Sequence, residues 1–152
     1  MPVVSNQKAQ THLEKVYRNF WRGFNLNTVL DGKFSREFKP HKFPSIRSYQ
    51  DYSIGCPFHI VVGVNFPRKE IRVGAYFHDV IAYDSCYNFQ RRWIEKELDK
   101  HLIWKKHKTK GSAYNYATAE FDEEGNNWTE VYKLMAEIML KMKNAFTAEV
   151  IL

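Results

Sequence analysis

Hydrophobic residues recur at helical spacing in three stretches of the chain, which predicts three amphipathic helices. The first stretch, residues 7–25, predicts a helix that Gly23 and the asparagines after it end. Its expected inward face consists of Leu13, Val16, Tyr17, Phe20 and Phe24. A central helix is expected after a cap at Asp84 or Ser85, with an inward face of Phe89, Trp93, Ile94 and Leu98. The last helix is expected after a cap at Asn126 or Asn127, with an apolar stripe of Trp128, Val131, Met135, Ile138, Met142 and Phe146.

Two runs rich in β-branched and aromatic residues lie between the first two helices. Residues 58–65 and 70–77 are separated by four residues, which predicts an antiparallel hairpin with Asn65 opposite Glu70. In that register one face turns to the core and carries Ile60, Val62, Val64, Ile71, Val73, Ala75 and Phe77. The opposite face is polar, with two glycines expected to leave a shallow clearing, and carries His59, Val61, Gly63, Arg72, Gly74, Tyr76 and His78.

The remaining segments complete the predicted fold. Residues 28–52 show no clear period and contain Pro40 and Pro44, so we expect an irregular basic excursion that ends in a short strand over residues 46–52. Two further strands are predicted over residues 102–107 and 113–121. The order of elements indicates an α+β fold, an antiparallel sheet of about four to five strands with three main helices packed mostly on one face. A length of 152 residues suits a single domain over residues 1–152.

The charge of the chain points to a class of partner. Its 23 Lys and Arg against 17 Asp and Glu give a formal net charge of +6, which favours encounters with polyanions. The basic residues concentrate in two clusters, and the expected phosphate contacts are Arg36, Lys39, Lys42, Arg47, Lys105, Lys106, Lys108 and Lys110. Aromatic residues interleaved with the first cluster are candidates for base stacking, namely Phe34, Phe38, Phe43 and Tyr49. The sequence therefore predicts a non-catalytic domain that binds nucleic acid.

The polar face of the predicted hairpin supports a different function. His59, Arg72, Tyr76 and His78 could meet a protein partner, a second copy of the chain in a homodimer, or a small anionic ligand. The glycines between them would let the partner approach closely. This interaction or ligand-sensing function stands beside nucleic-acid binding as the alternative.

Patterns for catalysis or metal binding are weak. Asp31 followed by Glu37-Phe38-Lys39 has the residue types of a metal-dependent nuclease, although it lies in the proline-bounded segment. Two cysteines and two histidines offer the ligands of tetrahedral zinc, namely Cys56, His59, His78 and Cys86, yet the histidines also suit a polar sheet face. No nucleophile elbow or phosphate-binding glycine loop is present in the sequence. We expect no catalytic residue, no bound metal and no cofactor.

The cysteine count and the hydropathy of the chain bear on its location. Two cysteines 30 residues apart predict no disulfide framework and suit a reducing compartment. Residues 1–12 lack the apolar segment of a signal peptide, and the longest apolar run, near residues 60–64, is too short to span a bilayer. A cytoplasmic protein without membrane contact is expected.

The spacing of aromatic and aliphatic residues resembles one family of prokaryotic domains of unknown function. The pattern covers most of residues 10–150 and consists of Phe20-Trp21, the strand at 71–76, Phe89, Trp93-Ile94-Glu95, Leu98, Leu102-Ile103-Trp104, Ser112, Trp128 and Phe146. Members of that family are found alone or on the C-terminal side of restriction-endonuclease-like nuclease domains. The resemblance implies an accessory role in a restriction or phage-defence system, and it supplies no catalytic residue.

Overall fold

The computed structural model describes residues 10–55 and 57–148, and within them the chain forms a five-stranded antiparallel sheet and five helices. In chain order the elements are α1 (His12–Val29), α2 (Gly32–Glu37), β1 (Tyr49–Ser53), β2 (Phe58–Asn65), β3 (Glu70–Phe77), α3 (Val80–Phe89), α4 (Arg91–Leu98), β4 (Ile103–Lys106), β5 (Gly111–Thr118) and α5 (Trp128–Thr147). The strand order across the sheet is β1-β2-β3-β5-β4. The α+β prediction is confirmed, and β1 and β4 form the two edges.

The predicted hairpin is confirmed in its register. Asn65 pairs with Glu70, and Val62 pairs with Val73 in the middle of β2 and β3. Every side chain that the alternation assigned to the core face is buried in the hydrophobic cluster. The sequence predicted this hairpin and its register because both strands are continuous runs and a four-residue loop joins them.

The helices cover one face of this sheet. Each of the five helices contributes side chains to the hydrophobic cluster that includes Ile60 and Val62. Val61, on the other face of β2, is buried and lies outside that cluster. Three methionines of α5 are fully buried within the core, where their flexible side chains fill space between large rings, namely Met135, Met139 and Met142.

The first helix differs from its prediction at both ends. It begins at His12 after a cap at Thr11, and residues 7–9 of the prediction lie outside the described residues. It continues to Val29 because Gly23 marks a crossing with α5 and not a stop signal, since a Cβ at Gly23 would lie 2.3 Å from Oη of Tyr132. Asn25 is buried and donates a hydrogen bond to Oε1 of Gln50. At the other end Leu13 is 42% exposed and was wrongly assigned to the inward face.

The irregular excursion contains a helix that the sequence pattern did not predict. Asp31 caps α2, because its side chain accepts hydrogen bonds from the backbone N–H groups of Lys33 and Phe34. Phe34 anchors this short helix in the core. The strand predicted over residues 46–52 is present, but it is shifted and spans Tyr49–Ser53.

The central helix is two helices, α3 and α4, that meet at Gln90. The cap of α3 is Asp79, whose side chain accepts from the N–H of Ile81, so the predicted cap at Asp84 or Ser85 is wrong. The break turns Phe89 outward, where it is 73% exposed. The remaining predicted inward residues, Trp93, Ile94 and Leu98, do pack against the core.

The last two strands are shifted by one to three residues from their predictions, and the predicted start of the last helix is confirmed. Strands β4 and β5 span Ile103–Lys106 and Gly111–Thr118. Asn127 occupies the N-cap position of α5 with φ 62° and makes no side-chain capping bond. Within the described ranges, none of the helices combines the length and apolarity that crossing a membrane requires.

Candidate nucleic-acid interface

The sheet face opposite the helices carries a set of polar and aromatic side chains that we call the outer face. Strand register places on it Tyr49, Asp51, Ser53, His59, Val61, Gly63, Arg72, Gly74, Tyr76, Ser112, Tyr114, Tyr116, Ile103 and Lys105. None of these residues belongs to the hydrophobic cluster that holds the helices, so no helix in the described part of the chain covers this face.

Arg72 lies near the middle of the outer face. Its guanidinium passes over Gly63 of the neighbouring strand, where an added Cβ would stand 2.6 Å from Cζ of Arg72. Nη2 of Arg72 donates to Oγ of Ser48 at 3.3 Å. None of the ion pairs among residues 10–55 and 57–148 includes Arg72. The outer face therefore holds a half-buried cation with donors to spare.

Tyr114 lies over the second glycine in the same way. A Cβ at Gly74 would stand 2.3 Å from Cδ1 of the Tyr114 ring. Burial raises the pKa of Tyr114 and the charge of Arg72 lowers it in part, so the hydroxyl remains neutral at physiological pH. The two glycines thus seat side chains of this chain, and the clearing expected from the sequence is filled.

A cluster of imidazoles lies beside these residues. Nδ1 of His59 is 2.9 Å from Oδ1 of Asp51 and 3.3 Å from Nε2 of His78. The ring of Tyr76 stands edge-on to His78, with 4.9 Å between centroids. The structure therefore brings together on one face the four residues that the sequence predicted as a partner surface, His59, Arg72, Tyr76 and His78.

The second basic cluster borders the outer face at the β4 edge. Lys105 pairs with Ser112 of β5, and Ser112 pairs with Tyr76 of β3. The side chain of Lys105 therefore lies on the outer face. Nζ of Lys110 lies 5.9 Å from the centroid of the Tyr76 ring. Lys106 points to the helix side, where its Nζ is 3.0 Å from Oδ1 of Asp84. Lys108 is exposed in the turn between β4 and β5.

The first basic cluster lies at the opposite edge of the sheet. Arg47 lies two residues before the start of edge strand β1, and its carbonyl accepts a hydrogen bond from Nε1 of Trp21. Arg36 belongs to α2 on the helix side, and Lys39 and Lys42 lie in the exposed loop that follows. Four strand spacings separate the two edges, which corresponds to about 19 Å. All eight predicted phosphate contacts are exposed, but they do not form one continuous patch.

The aromatic residues that can stack on a base differ from those expected. Phe34 and Phe38 are 0% and 2% exposed and pack on each other with centroids 4.9 Å apart, so their prediction as stacking groups is wrong. Phe43 and Tyr49 are exposed, and Tyr49 lies on the outer face.

Sequence reasoning missed Tyr114 and Tyr116, whose ring centroids are 6.0 Å apart on the outer face. The signal was the period-two pattern of residues 113–118, in which both tyrosines alternate with smaller residues.

The nuclease and zinc patterns do not assemble. Asp31 caps the start of α2, while Glu37 at its end lies 2.9 Å from Nζ of Lys143, which holds the pKa of Glu37 below its usual value. Cys86 is buried in the core, on the other side of the sheet from His59, and Cys56 lies outside the described residues. Across residues 10–55 and 57–148 no three metal-ligating side chains converge.

A shallow cavity of about 390 Å³ marks the centre of the outer face and is lined by Tyr49, Asp51, Val61, Arg72, Tyr76 and Tyr114. Its lining combines one cation with several tyrosine rings and one carboxylate, and His59 is hydrogen-bonded to that carboxylate. Such a surface can contact flat rings and phosphate oxygens at the same time.

These features define a small α+β protein with an antiparallel sheet whose tyrosine- and histidine-bearing face is open. The chain belongs to the family described as Domain of unknown function (DUF4268), which matches residues 16–149. The resemblance seen in the aromatic pattern is thereby confirmed at the level of the family. No curated protein and no solved structure matches the chain significantly.

Proposed function

We propose that the protein binds single-stranded nucleic acid across its outer face. The observation that carries this proposal is Arg72, a cation without a carboxylate partner among the described residues, set among Tyr49, Tyr76 and Tyr114 on an uncovered sheet. Tyrosine rings grouped around a guanidinium with donors to spare suit a ligand that has both rings and negative charge.

The tyrosines supply the stacking surface in this proposal. Tyr49, Tyr76 and Tyr116 come from three strands and are spread across the sheet. Sheets that bind single strands use such rings to stack two or three bases. Each stacked base contributes about 1–3 kcal/mol, and the contribution depends little on base identity. We therefore expect weak sequence preference.

Cations at the sheet edges and centre supply the phosphate contacts. Lys105 lies on edge strand β4, Lys110 approaches the Tyr76 ring, Arg72 lies near the centre, and Arg47 precedes the other edge strand. A nucleic-acid strand that crosses the sheet from one edge to the other meets a cation at the start, the middle and the end of its path. The separation of the two basic clusters then gives the path its length.

The shape of the surface favours a single strand over a duplex. Duplex DNA is read by a helix or a two-stranded ribbon inserted into its major groove. The outer face is a broad sheet with a shallow cavity, and it presents rings that a paired and stacked base cannot reach. Preferential binding of unpaired strands is therefore part of the proposal.

Fluorescence anisotropy with labelled ten-nucleotide single-stranded DNA, single-stranded RNA and duplex DNA tests the proposal. We expect micromolar binding of single strands that weakens as salt rises, and weaker binding of the duplex. Arg72→Gln should lower the affinity about tenfold, which corresponds to 1.4 kcal/mol and lies near the value of one charge-assisted hydrogen bond.

Arg22→Gln provides the matched control, because Arg22 is an exposed arginine of α1 on the helix side. It changes net charge by the same amount and should leave binding within twofold. Absence of binding at low salt, or equal loss of affinity in both variants, would reject the proposal.

A second candidate function uses the same face for a protein partner or for a second copy of the chain. The observation in its favour is Ile103, a large apolar side chain that is half-exposed on the outer face. Sedimentation equilibrium tests it, because a homodimer that forms through this face should dissociate in the variant Ile103→Lys. A monomer at all concentrations would reject self-association.

The biological setting belongs to the proposal as well. A cytoplasmic accessory role beside a nuclease, in restriction or phage defence, rests on the resemblance described above. In that role the protein would hold a displaced or processed strand while a separate enzyme acts on it.

A further inference from the structure

A cavity lies on the helix side of the sheet, between α3, the start of α4 and β4. Its volume is about 660 Å³, within the range of small-molecule sites, and we call it the α3–β4 pocket. Lys106 lines it, whereas the neighbouring Lys105 points to the outer face. The pocket is therefore separated from the outer face by strand β4, and its function does not depend on the function proposed for that face.

One wall of the pocket is aromatic. The rings of Tyr87 and Trp104 meet edge to face, with 5.6 Å between centroids. Both residues are half-buried, and their inner edges contact the core while the remaining surface lines the cavity. The half-buried Trp104 ring at the wall of the cavity offers an apolar surface to another flat ring.

A preorganised arginine stands at this wall. Nη1 of Arg91 donates to Oη of Tyr87 at 2.7 Å, and Cζ of Arg91 lies 4.2 Å from the centroid of the same ring. None of the ion pairs in the described part of the chain includes Arg91. Since guanidinium carries five N–H donors in a fixed fork, Arg91 retains donors for a bidentate contact to an anion.

The remaining polar groups narrow the class of ligand. Lys106 adds a second cation, and Asp84, 3.0 Å from its Nζ, adds one carboxylate. Two cations and one carboxylate leave a net charge of +1, which suits a ligand with a phosphate and with hydroxyl donors for Asp84. Asn88 can donate and accept, as the edge of a base requires.

We propose that the α3–β4 pocket binds a nucleotide, with the phosphate on Arg91 and Lys106 and the base against Trp104 and the edge of Tyr87. A free anion such as inorganic phosphate would leave the aromatic wall unused, and a neutral aromatic compound would leave the two cations unused. The ligand is either a free mononucleotide or the phosphorylated terminal nucleotide of a single strand.

Isothermal titration calorimetry with the four nucleoside 5′-monophosphates tests this proposal. We expect at least one to bind with a dissociation constant below about 1 mM. The corresponding nucleoside and inorganic phosphate should each bind at least tenfold more weakly, because each fills only one part of the pocket. Tyr87→Phe, which keeps the ring and removes the hydroxyl that positions Arg91, should weaken mononucleotide binding severalfold.

Neighbouring residues provide matched variants. Lys106→Gln and Arg91→Gln should weaken mononucleotide binding at least tenfold, while Lys96→Gln and Arg92→Gln should leave it within twofold. All four side chains are at least partly exposed, and circular dichroism melting curves verify that each variant folds. No binding of any monophosphate at about 5 mM, or equal losses in Lys96→Gln and Lys106→Gln, would overturn the proposal.

Oligonucleotides with a 5′-phosphate and with a 5′-hydroxyl distinguish the two sources of the ligand. A preference for the phosphorylated end that Lys106→Gln abolishes identifies the terminal nucleotide of a strand. Equal affinity for both ends, together with mononucleotide binding, identifies a free nucleotide. If the outer face does not bind single-stranded nucleic acid, the test of mononucleotide binding in the α3–β4 pocket is unaffected. The two proposals can therefore be rejected independently.

Discussion

At the scale of single residues, two glycines determine how the outer face presents its functional groups. Gly63 and Gly74 lack a side chain where the guanidinium of Arg72 and the ring of Tyr114 lie across the sheet. The sequence indicated a gap at these positions because glycines leave space on a strand. The side chain that fills that space is determined by rotamers and by the register of a third strand. The period-two alternation of the sequence gives no information about either.

Gly63→Ala should weaken nucleic-acid binding while it leaves the stability of the fold nearly unchanged. The added Cβ would stand 2.6 Å from the Arg72 guanidinium, which is the mobile end of a long side chain and can move away. We expect the free energy of unfolding in urea to change by less than about 1 kcal/mol, because alanine is also less flexible than glycine in the unfolded chain. The affinity for single-stranded nucleic acid should fall severalfold, because Arg72 is displaced from its position. A variant that binds as tightly as the original protein would contradict the role assigned to Arg72.

Tyr116→Ala tests stacking on the outer face directly. Tyr116 is half-exposed and lies outside the hydrophobic cluster, so its loss should leave the melting temperature nearly unchanged. Strand binding should weaken by about 1–3 kcal/mol in anisotropy titrations. Phe89→Ala, which removes an exposed ring from α3, is the matched control and should have no effect. Equal effects of the two substitutions would show that the outer face has no special role.

Cys86 should be chemically inert in the folded protein. Burial raises the pKa of the Cys86 thiol to about 12, so the reactive thiolate is almost absent at pH 8 and its fraction increases only as pH approaches that value. In a Cys56→Ser background, a chromogenic disulfide reagent should modify Cys86 only after denaturant is added. Rapid modification of the native protein at pH 8 would contradict the burial of this thiol.

At the scale of elements, the crossing of α1 and α5 depends on one glycine. The Tyr132 hydroxyl donates to the carbonyl of Phe20 at 2.7 Å, and its ring lies against the backbone at Gly23. A helix interior normally disfavours glycine by about 1 kcal/mol relative to alanine. Close approach of the two helices therefore offsets the low propensity, which explains why the pattern suggested a helix end where the helix continues.

Gly23→Ala should destabilise the protein even though alanine favours helices. The new Cβ would lie 2.3 Å from Oη of Tyr132, a buried atom with little room to move, and overpacking of this kind costs about 1–3 kcal/mol. In a Tyr132→Phe background, Gly23→Ala should lower the free energy of unfolding in urea by less, because the hydroxyl oxygen that clashes with the new Cβ is absent. A stabilised Gly23→Ala variant would show that the helices do not cross as closely as described.

Local patterns predicted some elements and missed others for physical reasons. Helix α5 and the β2-β3 hairpin were predicted correctly because their periodic apolar residues and a short loop define them within the segment itself. Helix α2 and the break at Gln90 were missed because each depends on capping and on burial of one or two side chains in a distant core. The pairing of β3 with β5 joins residues about 40 positions apart, so the position of Tyr114 and Tyr116 on the outer face required the fold.

At the scale of the whole molecule, the sheet separates the core from the outer face and the two basic clusters from each other. The helices and the core occupy one side, and the outer face remains open on the other. The two basic clusters, adjacent to β1 and β4, lie at opposite edges. The linear sequence showed that both clusters exist, but the distance between them is a property of the strand order alone.

Removal of charge at the β4 edge should change the salt dependence of binding. Binding to a single strand varies with the logarithm of salt concentration with a slope of about −0.7 for each neutralised phosphate. A Lys105→Gln, Lys108→Gln, Lys110→Gln variant should therefore reduce the magnitude of that slope by up to about 2. A variant with Lys15, Lys133 and Lys141 replaced by glutamine changes net charge equally on the helix side and should keep the slope. Equal slopes in the two variants would contradict a directed path across the sheet.

The most direct test of the account is an NMR titration of the isotope-labelled protein with a short single-stranded oligonucleotide, because it locates the strand on the surface. The account predicts that chemical-shift changes concentrate in β2, β3 and β5 and include the backbone of residues 63, 72, 76, 114 and 116. The exposed sides of α1 and α5 should show no comparable changes. Shifts confined to the helices or to the loop at residues 38–48 would contradict a strand bound across the outer face.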